Sequence, residues 1–489
     1  METSVSRTSH LPDGMAAAPA DSGHDGGGVR IAVIGGGFSG TMTALHLLWR
    51  SRRGDRVYLF ERSQRVGPGV AYSTAHPRHL VNTRVENMSA FADDPDHFAR
   101  WLARQPAQHT LGQRTPAGLF VKRSTYGAYI QELMRDAITR PGGADNLFLV
   151  DDAAEAAERV EGRWIITSHL GRRYEVDAIV LAIGTLARDD GEIPYFVGDP
   201  WRADALEGLD PEKAVLLLGT GLTMVDLALK LIDQGFAAPI IAMSRRGQLP
   251  QAHAPARPWS GLRLDADDHS SLAKLFRAVR RELARAEAEG VGWRSVIDAI
   301  RPNCQLLWRS LSEADRARFL RHVRPWWEVH RHRMAPPVAA TFQALRASGR
   351  LQLLAGRLLS VEPADSAATV TWRPRGASVA QSLAVQRVID CTGLKGDVAH
   401  TREPLLRSLL DAGLLRPNAL GLGVDVEPPG SAVGRDGEIT PGLYAIGAIT
   451  RGAFWEITAV ADIRAQAEQV AATAIYLARE RHAAAGRAA

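Results

Sequence analysis

A chain of 489 residues, 45% hydrophobic and 23% charged, has room for two or three compact domains with separate cores. Its formal net charge of +5 arises from 59 Lys and Arg interspersed with 54 Asp and Glu, which excludes a nucleic-acid footprint. Two cysteines, Cys304 and Cys391, stand too far apart for a CxxC redox pair or a metal knuckle, and no apolar run is long enough to cross a bilayer.

Residues 1–28, rich in Gly, Ala, Ser and Asp, lack the basic-then-apolar order of a signal peptide and read as a disordered arm of a cytoplasmic protein. The chain then enters "VRIAVIGGGFSGTMTALHLLWR", an apolar strand, a glycine turn and a helix. Gly35-x-Gly37-x-x-Gly40 fits the dinucleotide fingerprint: Gly35 for the tight turn, Gly37 for close approach to a pyrophosphate, Gly40 for packing of helix on strand. Phe38 and Ser39 complete the turn, and the next strand, "RVYLFE", ends in Glu61, an acid placed to accept ribose hydroxyls. This first unit spans 29–195 and contains "VDAIVLAIGT", a strand ending at Gly184.

A second strand–turn–helix follows in "VLLLGTGLTMVD". Gly219 and Gly221 keep the first two glycines, but Met224 stands where the third belongs, which predicts a looser approach of helix to strand. The strand after it ends in Ser244, Arg245 and Arg246, where a site selective for NAD would favour an acid. A guanidinium there suits the 2′-phosphate of NADPH; NADH stays open, as does a solvated basic turn.

The inserted unit is expected over 196–385, with a helical subdomain at 266–349 that covers the cleft. That subdomain ends in "WWEVHRHRMAPP". At i and i+3 on a helix, His330 and Arg333 would share a face and suit an anionic substrate, or else cap the last helical carbonyls. His330 and His332 have no metal-ligand spacing, so no metal is expected. Residues 386–480 hold two further glycine-ended segments: "RVIDCTG" ends at Gly393, and "GLYAIGAITRGAFWEITAVADIRAQAEQVA" supplies a strand ending at Gly447 and a helix from about Trp455.

This order resembles the two-dinucleotide flavoproteins: α/β, two Rossmann-like domains, the FAD domain split by an inserted NAD(P) domain, with a helical insertion. The resemblance implies FAD at the first site and NADH or NADPH at the second. One departure is Gly447-Ala448, where such proteins generally have Gly-Asp on the flavin's ribityl chain. The segments 67–102 ("GPGVAYSTAHPRHLVNTRVENMSAFADDPDHFARWL"), 120–134, 324–337 and 452–467 are similar to the flavin- and nicotinamide-dependent monooxygenases that include a bacterial urate hydroxylase and an aspartate N-hydroxylase. The resemblance implies that Asn82 lies near the isoalloxazine or the oxygen site, with Met88 packed beside it; an Asx-type turn is the alternative for Asn82. Arg123 and Tyr126 either line the flavin cleft or support a helix. The FxGxxxHxxxW motif of better-known flavin monooxygenases is absent, and His253 falls at the wrong spacing to replace it. The activity implied is NAD(P)H- and O2-dependent hydroxylation of a small anionic molecule, urate to 5-hydroxyisourate, in purine metabolism. Aspartate-type N-hydroxylation is the alternative, and a reductase that passes electrons to a protein partner is a third. No nucleic-acid or membrane partner is expected, and the oligomeric state stays open.

Overall fold

The computed structural model describes residues 28–63, 65–106, 112–186, 193–364, 367–393 and 396–488, so the expected N-terminal arm lies outside them except for Gly28. Two seven-stranded sheets organise the rest. In the first, the apolar runs Arg30–Ile34, Arg56–Phe60, Ala178–Leu181 and Leu147–Val150 pair in parallel, and Ile439–Ala445 joins in parallel beside Ala178–Leu181. Strands buried on both faces need continuous apolar sequence rather than alternation, and RIAVI and AIVL are buried at every position.

The ends of the chain meet on this sheet. Helix Phe38–Arg50, which leaves the first glycine turn, packs against the last helix, Val460–Ala488. Ala467, Val470, Ala471, Ala474 and Ala478 are buried in that contact region, and small side chains let two helices approach closely. Polar ties that hold the last helix in place include Arg50 to Glu468 at 3.3 Å, Arg479 to Asp55 at 2.5 Å, His482 to Asp177 at 2.6 Å and Arg301 to Asp462 at 2.5 Å. The last helix starts at Val460, not near Trp455, because Gly447–Thr450 forms a 3₁₀ turn and the intervening residues run through further turns.

The second sheet runs in the order Phe196–Val197, Arg387–Asp390, Val215–Leu218, Ile240–Ser244, Leu351–Ala364, Ala367–Pro374, Gln381–Val385. Val215–Leu218 pairs in parallel with both Ile240–Ser244 and Arg387–Asp390. The expected boundary at 385/386 therefore needs correction: "RVID" belongs to the inserted unit's sheet, not to the first unit. Its four residues read as a buried strand in either sheet, and only pairing with Val215–Leu218 decides which. Between Ile240–Ser244 and Leu351–Ala364 the chain builds helices Leu272–Ala288, Trp293–Ile300, Cys304–Ser310, Arg324–Arg331 and Pro336–Ala347, the helical insertion expected at 266–349. No helix among the described residues is long and apolar enough to cross a membrane.

Candidate functional site: two nucleotide cradles and the seam between them

The first cradle is built on close backbone contact. Gly35 adopts φ +106°, a region that L side chains rarely enter, and donates its N–H to the Phe60 carbonyl at 2.9 Å. A Cβ on Gly40 would sit 1.8 Å from the Gly35 carbonyl oxygen, so helix and turn touch only because position 40 has no side chain. A Cβ on Gly37 would meet nothing nearer than Gly69 Cα at 3.6 Å, which leaves that face open to a ligand. Gly37 caps the helix Phe38–Arg50 without a side-chain hydrogen bond among the described residues, so the first N–H groups of the helix can meet an anion. Glu61 stands at the end of the second strand. Its Oε2 accepts from Gly36 N at 2.8 Å, and its Oε1 from Ser63 N and Oγ at 2.8 and 2.7 Å. Gly447 closes the cradle from the other end of the chain: its N–H donates to Gln466 Oε1 at 2.9 Å, and a Cβ there would lie 2.6 Å from Ser39 Oγ. These residues fit a dinucleotide: a helix N-terminus, an acid one strand away and two glycine approaches.

The second cradle repeats the pattern with less constraint. Gly219 has φ +97°, and a Cβ on it would come 2.4 Å from the Cys391 carbonyl oxygen, whereas one on Gly221 would meet nothing within 4 Å. Met224 is fully buried in the core of this unit and takes the place of the missing third glycine. A cleft of about 650 Å³ opens over Gly219, Gly221, Arg245 and Arg246, and Glu328 and Arg451 reach it from the helical insertion and the first unit. Arg245 is exposed, while the Arg246 guanidinium lies 5.2 Å from the centre of the Trp326 ring.

The seam between the units is polar and buried. Arg123 makes an ion pair with Asp226 at 2.7 Å, and its Nε donates to the Leu80 carbonyl at 3.3 Å. Asp226 lies in the helix that follows Gly221. Burial pushes its carboxyl up to about 6, although the Arg123 and Lys230 charges pull the other way. Arg123 is thus an inter-unit tie. Tyr126, fully buried in an aromatic cluster with Phe38, Tyr72 and Phe98, is a packing residue of the first core.

Asn82 also lies on the seam: its backbone carbonyl accepts from His253 Nε2 at 3.0 Å. Burial pushes His253 down to about 4, so the imidazole is neutral at physiological pH, and its Nδ1 is a buried acceptor without a protein partner among the described residues. Met88 is 2% exposed and packs in the first unit's core.

His330 and Arg333 do not form the joint anion cradle expected of them. The helix ends at Arg331, so residue 333 has left the helical face on which the i, i+3 relation was based. Arg333 is 2% exposed, and its guanidinium is spent internally: on Asp298 at 2.9 Å, on the His330 carbonyl at 2.7 Å and on the Arg294 carbonyl at 3.3 Å. The His330 ring accepts no such role; its Nδ1 donates to the Trp326 carbonyl at 2.8 Å, and its ring stands edge-on to Trp293.

Two residues, one absent from the sequence reading and one set aside there for its spacing, organise the seam from the other side. Glu456, 3% exposed, accepts from Trp327 Nε1 at 2.8 Å and pairs with Arg331 at 3.2 Å. Burial alone would push Glu456 up, but the charges of His332 and Arg331 and the Trp327 hydrogen bond outweigh it and hold the carboxyl below its usual range. The other is His253. A lone acid inside the apolar "AFWEITAV" was the available signal for Glu456; His253 had none beyond its neighbours. No group of three or more potential metal ligands occurs among the described residues.

Residues 32–186 match a family model described as FAD-NAD(P)-binding. No curated protein matches the chain. Among solved structures, the chain is similar to an ornithine N-hydroxylase of Kutzneria sp. 744, described with reduced FAD, NADP+ and L-ornithine, at 14% identity over 93% of this chain and 100% of that one, with a TM-score of 0.56. It is also similar to an L-lysine 6-monooxygenase of Pseudomonas syringae (16% identity, 93% and 99% covered, TM-score 0.56) and to an ornithine hydroxylase of Pseudomonas aeruginosa (13%, 92% and 99%, 0.55). The likeness establishes the fold over nearly the whole chain. The family match and the first cradle make residues 32–186 an FAD-NAD(P)-binding region, and the likeness gives the whole chain the fold of these flavin-dependent hydroxylases.

Proposed function

We propose that the protein is an FAD-dependent monooxygenase that uses NADPH and O2 to N-hydroxylate an amino acid or related amine. The balance is one amine, one O2, one NADPH and one proton giving one hydroxylamine, one water and NADP+. The observation that carries this reading is the pairing of two nucleotide cradles across one seam, in a fold that follows flavin-dependent N-hydroxylases over 93% of the chain. Cys304 and Cys391 are both free and buried, so the chain offers no dithiol through which a disulfide reductase would pass electrons. Urate, the first expectation from sequence, draws no support from the comparisons, which favour the N-hydroxylase alternative.

In this reading the Gly35–Gly40 turn and the N-terminus of Phe38–Arg50 hold the FAD pyrophosphate, and Glu61 receives ribose hydroxyls. Bound FAD supplies hydride acceptance from the nicotinamide and activation of O2. Gly219 and Gly221 hold the nicotinamide cofactor's pyrophosphate, and Arg245 and Arg246 receive the 2′-phosphate. Asn82, aligned by neutral His253, borders the reacting centre, and Met88 packs behind that segment. The Glu456–Arg331 and Glu456–Trp327 contacts pin the helical insertion over the seam and limit water entry.

The deciding experiment is oxygen-dependent NADPH oxidation by the purified yellow protein with ornithine, lysine, aspartate and urate in turn, while hydroxylamine formation and substrate loss are followed. Hydroxylamine matching NADPH consumed with one of the amines is the expected result. Urate loss matched to NADPH, or NADPH oxidation that yields only peroxide with every substrate, would overturn it. The 2′-phosphate assignment predicts that Arg246→Ala raises KM for NADPH by about 10- to 100-fold, the worth of a charge-assisted contact, and leaves KM for NADH nearly unchanged. Equal effects on both cofactors would remove Arg246 from that role.

A further inference from the structure

The helical insertion encloses a cavity of about 400 Å³ that neither nucleotide cradle uses. Its walls come from helices Leu272–Ala288, Trp293–Ile300 and Cys304–Ser310 and from Trp455 of the first unit. Ile300, Cys304, Leu307, Trp308 and Leu311 are each less than 10% exposed, whereas Phe276 and Trp326 at the mouth are 48% and 46% exposed. The shape is therefore a hole with an apolar rim rather than a flat face, which suits a small molecule better than a protein surface. Its volume falls within the ~300–1,000 Å³ typical of small-molecule pockets.

The chemistry of the lining is uniform. Five tryptophans, Trp293, Trp308, Trp326, Trp327 and Trp455, reach the cavity, and His330 is the one ionisable side chain beside them apart from the Cys304 thiol, which burial pushes far up and keeps protonated. Trp308 stacks on Trp455 at 4.9 Å, and Phe319 meets Trp455 edge-on at 5.2 Å. The Trp327 and Trp308 indoles spend their N–H groups on Glu456 and on the Gly452 carbonyl, but the Trp455 N–H is buried with no hydrogen-bond partner among the described residues. Water gains little in such a space, because an apolar cavity gives it too few partners.

We propose that this cavity is a binding site for an uncharged, apolar small molecule, an aromatic or medium-length aliphatic body that packs against its tryptophans. The site rests on the geometry of the insertion and stands or falls independently of the N-hydroxylase reading. Two sources share the chemistry: the apolar part of the oxygenated substrate, or a separate ligand that stabilises the insertion over the seam.

The probe is N-phenyl-1-naphthylamine, titrated into the FAD-loaded full chain with excitation of tryptophan. The expected result is saturable transfer from tryptophan to one probe per chain, displaced by 1-decanol. Val279→Phe, which adds a ring to the cavity wall, is expected to weaken probe binding about ten-fold while flavin absorbance and NADPH oxidation without substrate are retained. Should that variant fail to fold, displacement by 1-decanol in the unaltered chain still decides. Non-saturating uptake, no displacement, or unchanged affinity in folded Val279→Phe would overturn the site. Decylamine with NADPH and O2 separates the sources: hydroxylamine formation assigns the cavity to the substrate, and displacement of the probe without turnover assigns it to a separate ligand.

Discussion

Gly40→Ala is expected to give a protein that purifies without yellow colour and binds added FAD at least about 100-fold more weakly. The new methyl would lie 1.8 Å from the Gly35 carbonyl oxygen and 3.2 Å from the Ala182 methyl carbon, and real Cβ atoms do not approach within 3.0 Å of a neighbour. Helix Phe38–Arg50 would have to withdraw by about 1 Å from the turn that aims its N–H groups, and a misplacement of that size costs about two orders of magnitude at a positioned site. The second cradle supplies the contrast. Gly221→Ala meets nothing within 4 Å, and its backbone, at φ −83°, accepts alanine without strain. That variant should fold, keep its FAD and lose affinity for NADPH alone, because the methyl occupies the approach of the pyrophosphate. Flavin absorbance and NADPH KM measured on both variants check the pair. Full FAD content in Gly40→Ala would show that the first cradle is not where the flavin pyrophosphate sits.

Arg123→Ala should destabilise the protein by about 3–5 kcal/mol at pH 8, the cost of leaving a buried carboxylate without its partner. Arg123 and Asp226 have side chains 14% and 7% exposed, and they join the first unit to the helix of the second cradle. The effect is expected to depend on pH. Asp226 has a folded value of about 6, above the ~3.9 of an unfolded chain, so the folded protein holds this proton more tightly. The associated stabilisation is complete below pH about 4 and is lost as pH rises through 6. Without Arg123 the carboxyl stays protonated to still higher pH, so variant and unaltered chain should differ least near pH 5 and most near pH 8. Urea unfolding at the two pH values tests this. A difference of equal size at both would mean that the charge of Asp226 does not govern the tie.

Much of the first cradle was legible in the sequence because its determinants are local. A buried strand, three glycines at fixed spacing and an acid at the end of the next strand are consecutive features, and the structure places Gly35, Gly37, Gly40 and Glu61 around one turn. The return of the chain's end to the first sheet was implied by the resemblance to two-dinucleotide flavoproteins, and the helical insertion followed from its three- and four-residue apolar spacing.

What the sequence by itself determined, then, is the sequence of elements, the two glycine turns and the class of ligand each turn suits, since these depend on periodicity and backbone freedom within a few residues. Tertiary structure alone decided which sheet receives Arg387–Asp390, since a four-residue strand with Val388 and Ile389 at its centre fits either and only hydrogen bonding to Val215–Leu218 separates them. It also decided the fate of the candidate substrate residues. Arg333 faces Asp298 rather than a cleft because the helix stops two residues earlier, and Glu456 becomes the anchor of the insertion because Arg331 and Trp327 arrive from 120 or more residues away in the chain. A buried charge is placed by partners that no local pattern announces, and so the seam between the cradles emerges only when the chain is folded.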